Sequence, residues 1–569
     1  MKLLKSIKLL YKNSPAARII TFVAVVGIIA MVTSVSGRKH IGKPSISTID
    51  PPIGSTGDIV VITGENFGST RENSFVEIAG SRVTASNYRD WDNEQIEFVV
   101  PPNVDDGLVV VQTAEGRSEP TFFARKDSIP VAVRTDYRVS VPVIDSVSPS
   151  TAKIGDVISI LGSNFGNARG NSTVYFTANR DDSVSKVPDI NKLNAGFIAA
   201  SDADYDFEYW TDSEIRVHIP DGATSGQLYI ATDKGNSYKH GIDISFPAGQ
   251  KKFVNGKTYV LQINADIQNR SQSDTNITLY VPRPTMCVSQ PAVVLNEVFP
   301  NPLIQDDPYD VIHSIQLKGG DNSRIKLNHN FIITSFSEES NIIGSNITRY
   351  TDATRLLNTV YTSADECVPS DNKAVRELAD SIVGKIQNPY SQVNLVYNYM
   401  LDNFTILNTV RTGDVSPVDL IEKKSGDAYD FAILFTALCR SLGIPSVPVS
   451  GILVEADSTT KNHWWSEVYF EHYGWFPVDI ALAAGLSYKT FGEIENPRQH
   501  YFGNLDGQHI AFSRRWNRLK TSLANGKTVF RPRSYALQSI WEEVNSTEAD
   551  YSSLWNDPVI VGIYGATSF

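Results

Sequence analysis

The chain has 569 residues, of which 41% are hydrophobic and 20% are charged, and its formal net charge at pH 7 is −12. This length predicts about three or four domains, each with enough apolar residues for its own core. The negative charge argues against a nucleic-acid partner, because a surface that binds phosphates needs clustered lysine and arginine.

The N-terminal segment predicts export. Residues 1–18 contain basic and no acidic side chains, and residues 19–35 are uncharged and strongly apolar. As a helix, this run would reach roughly 25 Å, which is the short end of a membrane span but longer than the core of a signal peptide. We therefore predict a cytoplasmic basic segment and an uncleaved transmembrane anchor in residues 1–43. The alternative is a signal peptide that is cleaved after Ser36, which would give a secreted protein. In both cases the C-terminal domains lie outside the cytoplasm.

An internal repeat follows the apolar run. The sequence GDIVVITGENFG at 57–68 is echoed by GDVISILGSNFG at 155–166, and each copy continues to a tryptophan, Trp91 or Trp210. Short β-branched runs separated by turn residues predict antiparallel sandwiches, with positive φ angles at the Asn-Phe-Gly corner. The pattern resembles the IPT/TIG domain, an immunoglobulin-like fold, over residues 44–126 and 141–247. Such domains commonly serve as spacers or adhesive stalks. A polar insertion at 179–206 of the second copy is predicted to be a surface loop.

In the next region, apolar residues first alternate with polar ones and then recur at the spacing of a helix. Alternating apolar residues predict a further strand-rich domain over residues 255–345. From residue 371, Val375, Ala379 and Ile382 lie on one helical stripe, and Pro389 begins a second helix. A third, buried helix is predicted from Ala428, ended by Gly443.

Three strands are predicted after this helix, at 448–454, 462–470 and 475–480. The second carries His463 and the third carries Asp479. The turn at 471–474 brings these two side chains nearly opposite each other in a hairpin.

The run GDAYDFA at 426–432, with His463 and Asp479, resembles the core of the transglutaminase-like superfamily. The resemblance implies an α+β, papain-like domain over residues 365–515. It also implies a catalytic Cys-His-Asp set in which a cysteine at the start of the buried helix is the nucleophile. A helix N-terminus stabilises the thiolate, the histidine takes its proton, and the aspartate orients the imidazole.

Ala428 occupies the position of that cysteine, and its methyl group cannot attack a carbonyl. Cys439 lies eleven residues further along the same helix, about 16 Å away. Cys287 and Cys367 come from outside the core, and whether they form a disulfide stays open. We therefore expect a catalytically inactive pseudoenzyme that binds a peptide or a cell-envelope polymer, with no cofactor and no metal. The alternatives are an active transamidase or protease, if Ala428 is a substitution or another nucleophile serves, and a purely structural surface or adhesion protein.

The sequence thus predicts a multidomain protein with two IPT/TIG β-sandwich domains, a further β-sandwich and an α+β transglutaminase-like domain. The segment at 501–513 also resembles the tail of bacterial members of the superfamily. Residues 516–569 are predicted to be a C-terminal extension with a helix over 536–544.

Overall fold

The computed structural model describes residues 42–102, 104–125, 141–181, 196–320, 323–350, 355–410, 416–515, 526–531, 535–537 and 540–565, with isolated positions between 14 and 26. The predicted anchor at 19–35 lies almost entirely outside these residues. In the part of the chain so described, no helix is long and apolar enough to cross a membrane. The chain divides into two compact units, Met1–Tyr137 and Arg138–Phe569.

The first unit contains one β-sandwich, here called the first sandwich. Its strands are β1 (Ser45–Asp50), β2 (Ile53–Gly54), β3 (Ile59–Glu65), β4 (Phe75–Ile78), β5 (Ser81–Arg82), β6 (Tyr88–Trp91), β7 (Gln95–Val99), β8 (Gly107–Thr113), β9 (Gly116–Arg117) and β10 (Thr121–Arg125). One sheet has the order β1-β3-β7-β6, and the other has the order β2-β10-β8-β4-β5, with β9 beside β8. Side chains alternate between the two faces of each strand, so that Val60 and Ile62 are fully buried between the sheets.

The second unit begins with a copy of this architecture, the second sandwich. Its strands are β11 (Val143–Ser148), β12 (Thr151–Ala152), β13 (Val157–Ser163), β14 (Thr173–Ala178), β15 (Phe197–Ala199), β16 (Phe207–Trp210), β17 (Glu214–His218), β18 (Ala223–Thr232), β19 (Gly235–Asn236) and β20 (His240–Ile244). The sheet orders are β11-β13-β17-β16 and β12-β20-β18-β14-β15, with β19 beside β18. The repeat read from the sequence is therefore a repeat of topology.

The repeated corner has the backbone that its residues favour. Asn66 and Gly68 have φ angles of 63° and 91°, and Asn164 and Gly166 have φ angles of 64° and 93°. Glycine and asparagine adopt this left-handed region at the lowest cost, so the corner is encoded locally in both copies.

In each copy, the tryptophan forms a hydrogen bond to the backbone of the Asn-Phe-Gly corner. Trp91 Nε1 donates a hydrogen bond to the carbonyl oxygen of Phe67 at 3.1 Å. Trp210 Nε1 donates to the carbonyl oxygen of Phe165 at 3.2 Å. Each indole thus satisfies a backbone acceptor that the turn leaves outside the sheet.

A third sandwich is built from two distant parts of the chain. Its strands are β21 (Gly249–Asn269), β22 (Thr275–Pro282), β23 (Ala292–Phe299), β24 (Asp310–Leu317), β25 (Arg324–Ile342), β32 (Lys527–Arg531), β33 (Ile540–Val544), β34 (Tyr551–Trp555) and β35 (Val559–Gly565). The sheet orders are β23-β25-β21-β34, with β35 also on β21, and β24-β22-β33-β32. The prediction of a helix over 536–544 is wrong. Ile540–Val544 is a strand between β22 and β32, and the C-terminal segment completes the sandwich.

The α+β core lies between these two parts in sequence. Its helices are α1 (Leu356–Thr362), α2 (Lys373–Val383), α3 (Pro389–Asn403), α4 (Leu420–Lys423), α5 (Ala428–Ser441), α6 (Ile480–Ala483) and α7 (Pro497–His500). Its main strands are β28 (Ser446–Val454), β29 (Thr460–Phe470), β30 (Gly474–Val478) and β31 (His509–Arg514), in the antiparallel order β30-β29-β28-β31. Two short strands, β26 (Thr405–Ile406) and β27 (Ser425–Gly426), pair in parallel before α5. The helices predicted from Val375, Pro389 and Ala428 are confirmed.

The second sandwich joins the third sandwich and the core through buried charges. Lys251 Nζ lies 3.1 Å from Asp221 Oδ2 and 2.9 Å from Glu338 Oε1. Arg514 Nη1 lies 3.0 Å from an oxygen of Asp204, and Arg355 Nη2 lies 3.2 Å from an oxygen of Asp206. We call these residues, with Glu467, the junction network.

The insertion of the second copy differs from the predicted surface loop. Its part at 182–195 lies outside the described residues. Phe197–Ala199 pairs with β14, and Asp204 and Asp206 are only 7% and 2% exposed. The described end of the insertion is therefore structural, because its carboxylates form ion pairs with arginines of the core.

Candidate functional site

Helix α5 begins at Ala428 because the preceding residues cap it. Asp427 Oδ1 accepts a hydrogen bond from the backbone N–H of Asp430 at 3.1 Å, and Asp430 Oδ2 accepts one from the N–H of Asp427 at 3.0 Å. This reciprocal capping box satisfies two amide groups that a helix start leaves without partners. Gly426 is required beside it, because a Cβ there would lie 2.8 Å from Asp430 Oδ2. Ala428 is the first residue of the helix and is 6% exposed.

The helix is attached to the strand that carries the histidine. Ser466 Oγ, on β29, donates to the carbonyl oxygen of Ala432 at 3.0 Å and lies 3.1 Å from Thr436 Oγ1. Phe431, on the same helix, is fully buried in the core. These polar contacts inside an apolar interface fix the position of α5 along β29.

His463 and Asp479 form the predicted pair. His463 Nε2 donates to Asp479 Oδ2 at 2.5 Å, and both side chains are fully buried. Asp479 also caps α6, because its Oδ1 accepts from the N–H of Leu482 at 2.9 Å. The carboxylate is therefore held at both oxygens, which fixes the orientation of the imidazole.

A second histidine, His509, contacts the same carboxylate. Its Nε2 lies 3.0 Å from Asp479 Oδ2, and its Nδ1 lies 2.9 Å from Asp506 Oδ1. Tyr488 and Tyr501 donate to the two oxygens of Asp506 at 3.0 and 3.1 Å. His509 and Asp506 were not predicted as site residues, although both lie in the segment 501–513 that resembles the tail of bacterial members of the superfamily. The signal was their spacing, an aspartate three residues before a histidine that begins a strand.

The electrostatics of this cluster follow from its geometry. Burial works against the charged form of His509, but Asp506 and Asp479 outweigh it and raise its pKa to about 10. Burial would raise the pKa of Asp479, yet His463 and His509 hold it below its ordinary value. His509 is therefore a cation at neutral pH, placed between two carboxylates.

One ring nitrogen of His463 has no hydrogen-bond partner among the described residues. Its Nδ1 is buried and, within the described part of the chain, accepts no hydrogen bond. Because Nε2 carries the proton donated to Asp479, Nδ1 is the basic nitrogen of the neutral ring. In the Cys-His-Asp arrangement that the resemblance implies, such a nitrogen takes the proton of the thiol. In this sequence the first residue of α5 is Ala428, which carries a methyl group instead of a thiol.

None of the three cysteines occupies the start of α5. All three are free. Cys367 lies nearer to the helix start than its place in the sequence suggests, since its Sγ is 3.7 Å from the hydroxyl of Tyr429. Burial, however, raises the pKa of both Cys367 and Cys439 to about 12. A thiol that stays protonated at neutral pH is a poor nucleophile.

The two histidines and Asp479 also have the chemistry of metal ligands, and their donor atoms lie within 4.8 Å of one another. Their geometry is that of hydrogen bonds, with nitrogen–oxygen distances of 2.5 and 3.0 Å. A tetrahedral zinc ion would hold such atoms roughly 3.3 Å apart. The cluster therefore fits a proton-linked ion-pair network better than a metal centre.

Comparison with known families agrees with the sequence analysis. A model of the transglutaminase-like superfamily matches residues 376–480, and a model of the IPT/TIG domain matches residues 44–124 and 142–183. The chain thus contains a transglutaminase-like domain, which includes the start of α5, His463 and Asp479, preceded by IPT/TIG domains. The predicted multidomain architecture is confirmed.

Individual relatives are distant. An uncharacterized protein of Haemophilus influenzae is 26% identical over 182 residues, which are 27% of this chain and 49% of that protein. The match thus spans about half the length of this relative. A structure described as a "putative cysteine protease" from Cytophaga hutchinsonii is 15% identical, with a TM-score of 0.35, over 56% of this chain and 94% of that one. The periplasmic domain of TgpA from Pseudomonas aeruginosa is 13% identical, with a TM-score of 0.23, over 42% of this chain and 88% of that one.

Proposed function

We propose that this chain is a pseudoenzyme whose transglutaminase-like groove binds a peptide or a peptide-bearing polymer of the cell envelope without cysteine-dependent turnover. The observation that carries the proposal is the contrast between Ala428 and its surroundings. The capped helix start and the buried His463–Asp479 pair are retained, whereas the nucleophile is missing. Among the described residues, Nδ1 of His463 is buried without a hydrogen-bond partner, which costs folding free energy. A purely structural role for His463 does not account for this cost.

We further propose that these domains lie outside the cytoplasm and that residues 19–35 anchor them to the membrane. The basic flank before the apolar run and the absence of acidic residues in that flank support this orientation. The first and second sandwiches would then lie between the anchor and the groove in the order of the sequence. A protein secreted after cleavage at Ser36 is the alternative.

Restoring the thiol tests whether the groove still positions a peptide. In an Ala428→Cys variant, the thiolate would attack the side-chain carboxamide carbon of a glutamine, and the carbon–nitrogen bond would break. Ammonia would leave with a proton from His463, and a thioester would remain on the new cysteine. We expect mass spectrometry to detect this acyl adduct with a glutamine-containing peptide, whereas the natural Ala428 protein forms none.

Two controls make the result specific. The double variant Ala428→Cys, His463→Gln should form no adduct, because no base remains to ionise the thiol. The same peptide with glutamate in place of glutamine should not react either. If the new thiol reacts with small alkylating reagents but never with peptides, the groove is vestigial and the structural alternative is correct. If the natural Ala428 protein turns the peptide over, the protein is an active enzyme with another nucleophile.

A further inference from the structure

A cavity of about 500 Å³ lies where the second sandwich meets the third sandwich and the end of β31. This volume is within the range of about 300–1,000 Å³ that is typical of small-molecule sites, which occur preferentially at domain interfaces. Tyr175 and Phe197 line it from the second sandwich, and Phe512 lines it from β31. Met286 stands at its edge and is 66% exposed. The walls are thus largely apolar and aromatic.

Arg515 supplies the charge of this cavity. Its guanidinium contacts three phenol hydroxyls, of Tyr309 at 2.7 Å, Tyr361 at 3.2 Å and Tyr205 at 3.5 Å. In the described part of the chain, no carboxylate lies within ion-pair distance of it. Most half-buried arginines are matched by an anion, because hydroxyl groups compensate the charge only weakly.

The backbone at this residue is also unusual. Arg515 has a φ angle of 97°, a region that residues with a Cβ rarely adopt. Such a conformation costs about 1–3 kcal/mol and persists where the surroundings impose it, often at binding sites. The strained backbone places the guanidinium beside these three hydroxyls in the wall of the cavity.

The other charges in the wall are already paired. Arg514 contacts Asp204 at 3.0 Å and Glu467 at 2.5 Å. Asp221 contacts Lys251 at 3.1 Å. Arg180 donates to the backbone carbonyl oxygens of Phe197 and Val288, both at 2.8 Å. Among the described residues of the wall, Arg515 is therefore the arginine whose guanidinium contacts only hydroxyl groups, and it can bind an incoming anion.

We propose that this cavity binds an aromatic carboxylate, with the carboxylate on Arg515 and the ring against the apolar walls. The free C-terminus of a peptide with an aromatic last residue and a small aromatic acid share this chemistry. The site is distinct from the cluster at His463, since Arg515 follows the opposite end of β31 from His509. It does not depend on the proposed function of the groove.

Titration calorimetry on the full chain tests the proposal with matched probes. N-acetylphenylalanine should bind with a dissociation constant below about 1 mM, and N-acetylphenylalaninamide should bind at least about tenfold more weakly, because only the carboxylate is changed. Arg515→Gln should remove this preference. Arg216→Gln, at an exposed arginine of the second sandwich, should leave it unchanged. If 3-phenylpropionate binds as tightly as N-acetylphenylalanine, the ligand is a small aromatic acid. If it binds more weakly, the ligand is the C-terminus of a peptide.

A native thiol reports occupancy independently. Cys287 lines the cavity and is partly exposed, whereas Cys367 and Cys439 are buried. Saturating N-acetylphenylalanine should slow the alkylation of Cys287 by N-ethylmaleimide at least about threefold, and the amide should not. Equal binding of acid and amide by the natural protein, or no binding of either below about 10 mM, would overturn the proposal even if the Arg515→Gln variant failed to fold.

Discussion

At the level of single residues, the candidate site depends on one carboxylate shared by two histidines. Asp479 accepts from His463 at 2.5 Å and from His509 at 3.0 Å. The sequence was sufficient to pair His463 with Asp479, because His463 lies on β29, Asp479 directly follows β30, and a short turn joins these two strands. Asp479 lies one residue beyond the strand that was predicted to carry it, because it caps α6. The sequence was not sufficient to add His509, because β31 reaches the site only through its pairing with β28, and long-range pairing leaves no local pattern.

The charge on His509 makes a prediction about pH. Its pKa is raised from 6.5 to about 10 in the folded protein. Its protonation therefore stabilises the fold fully below about pH 6.5, and this contribution is lost as the pH rises through about 10. We expect the difference in unfolding free energy between the natural protein and His509→Gln to shrink steadily from pH 7 to pH 10 in urea titrations. A difference that is constant over this range would show that His509 is neutral when folded.

At the level of elements, the sequence predicted strongly periodic segments well and the last strands badly. Helix α5 could be predicted because its apolar stripe, its capping residues and its terminating Gly443 all agree. The strand Ile540–Val544 could not, because a short apolar run is compatible with either a helix or a strand. Its identity is decided by pairing with Thr275–Pro282, which lies more than 250 residues earlier in the chain. The buried Glu542 accepts hydrogen bonds from Tyr551, Ser553 and Trp555 in the other sheet.

The third sandwich should therefore fail without its C-terminal strands. A chain that ends at residue 531 lacks β33, β34 and β35 and leaves the long strand β21 with one open edge. An open, apolar strand edge promotes aggregation. We expect loss of soluble monomer in size-exclusion chromatography, whereas a chain that ends at residue 565 should behave like the full protein. A soluble monomer with an unchanged unfolding midpoint from the shorter chain would mean that the C-terminal segment is a dispensable extension.

At the level of the whole molecule, the junction network joins the second sandwich to the core. Burial raises the pKa of Asp221 to about 6 and that of Glu338 to about 7, although Lys251 opposes both shifts. No local pattern in the sequence pairs these residues, since Asp221 belongs to one sandwich and Glu338 to another. The repeat in the sequence predicted the two domains but could not predict that one of them is fixed to the core.

Removing the lysine should weaken the second unit in a pH-dependent way. Lys251→Met leaves two buried carboxylates without their cation and should destabilise the unit by about 3–5 kcal/mol at pH 8. Both acids have raised pKa values when folded, so protonation should restore stability as the pH falls towards 5. Thermal unfolding between pH 5 and 8 measures this effect, and Lys318→Met, at an exposed pair, is the matched control. If Lys251→Met lost the same stability at pH 5 as at pH 8, Asp221 and Glu338 would not be the charged groups that Lys251 neutralises.

The apolar run at 19–35 makes a prediction about where the protein is located. If residues 19–35 anchor the protein, it should fractionate with membranes and resist extraction with salt. External protease, after permeabilisation of an outer membrane where one exists, should remove the folded domains from intact cells. Recovery of a mature N-terminus at Gly37 would instead identify a cleaved signal peptide.

We propose that the candidate site lacks only its nucleophile. We expect a cysteine in place of Ala428 to meet the N–H groups of the α5 start and Nδ1 of His463, which together would lower its thiol pKa from about 8.5 towards roughly 3.5–7.5. Cys367 and Cys439, both with pKa values of about 12, are the internal controls.

The most direct measurement is the rate at which iodoacetamide alkylates Ala428→Cys at about pH 6, followed by mass spectrometry. The account predicts a rate at least about tenfold above that of a model thiol, and loss of this excess when His463→Gln is added. A rate no faster than that of the model thiol would contradict it.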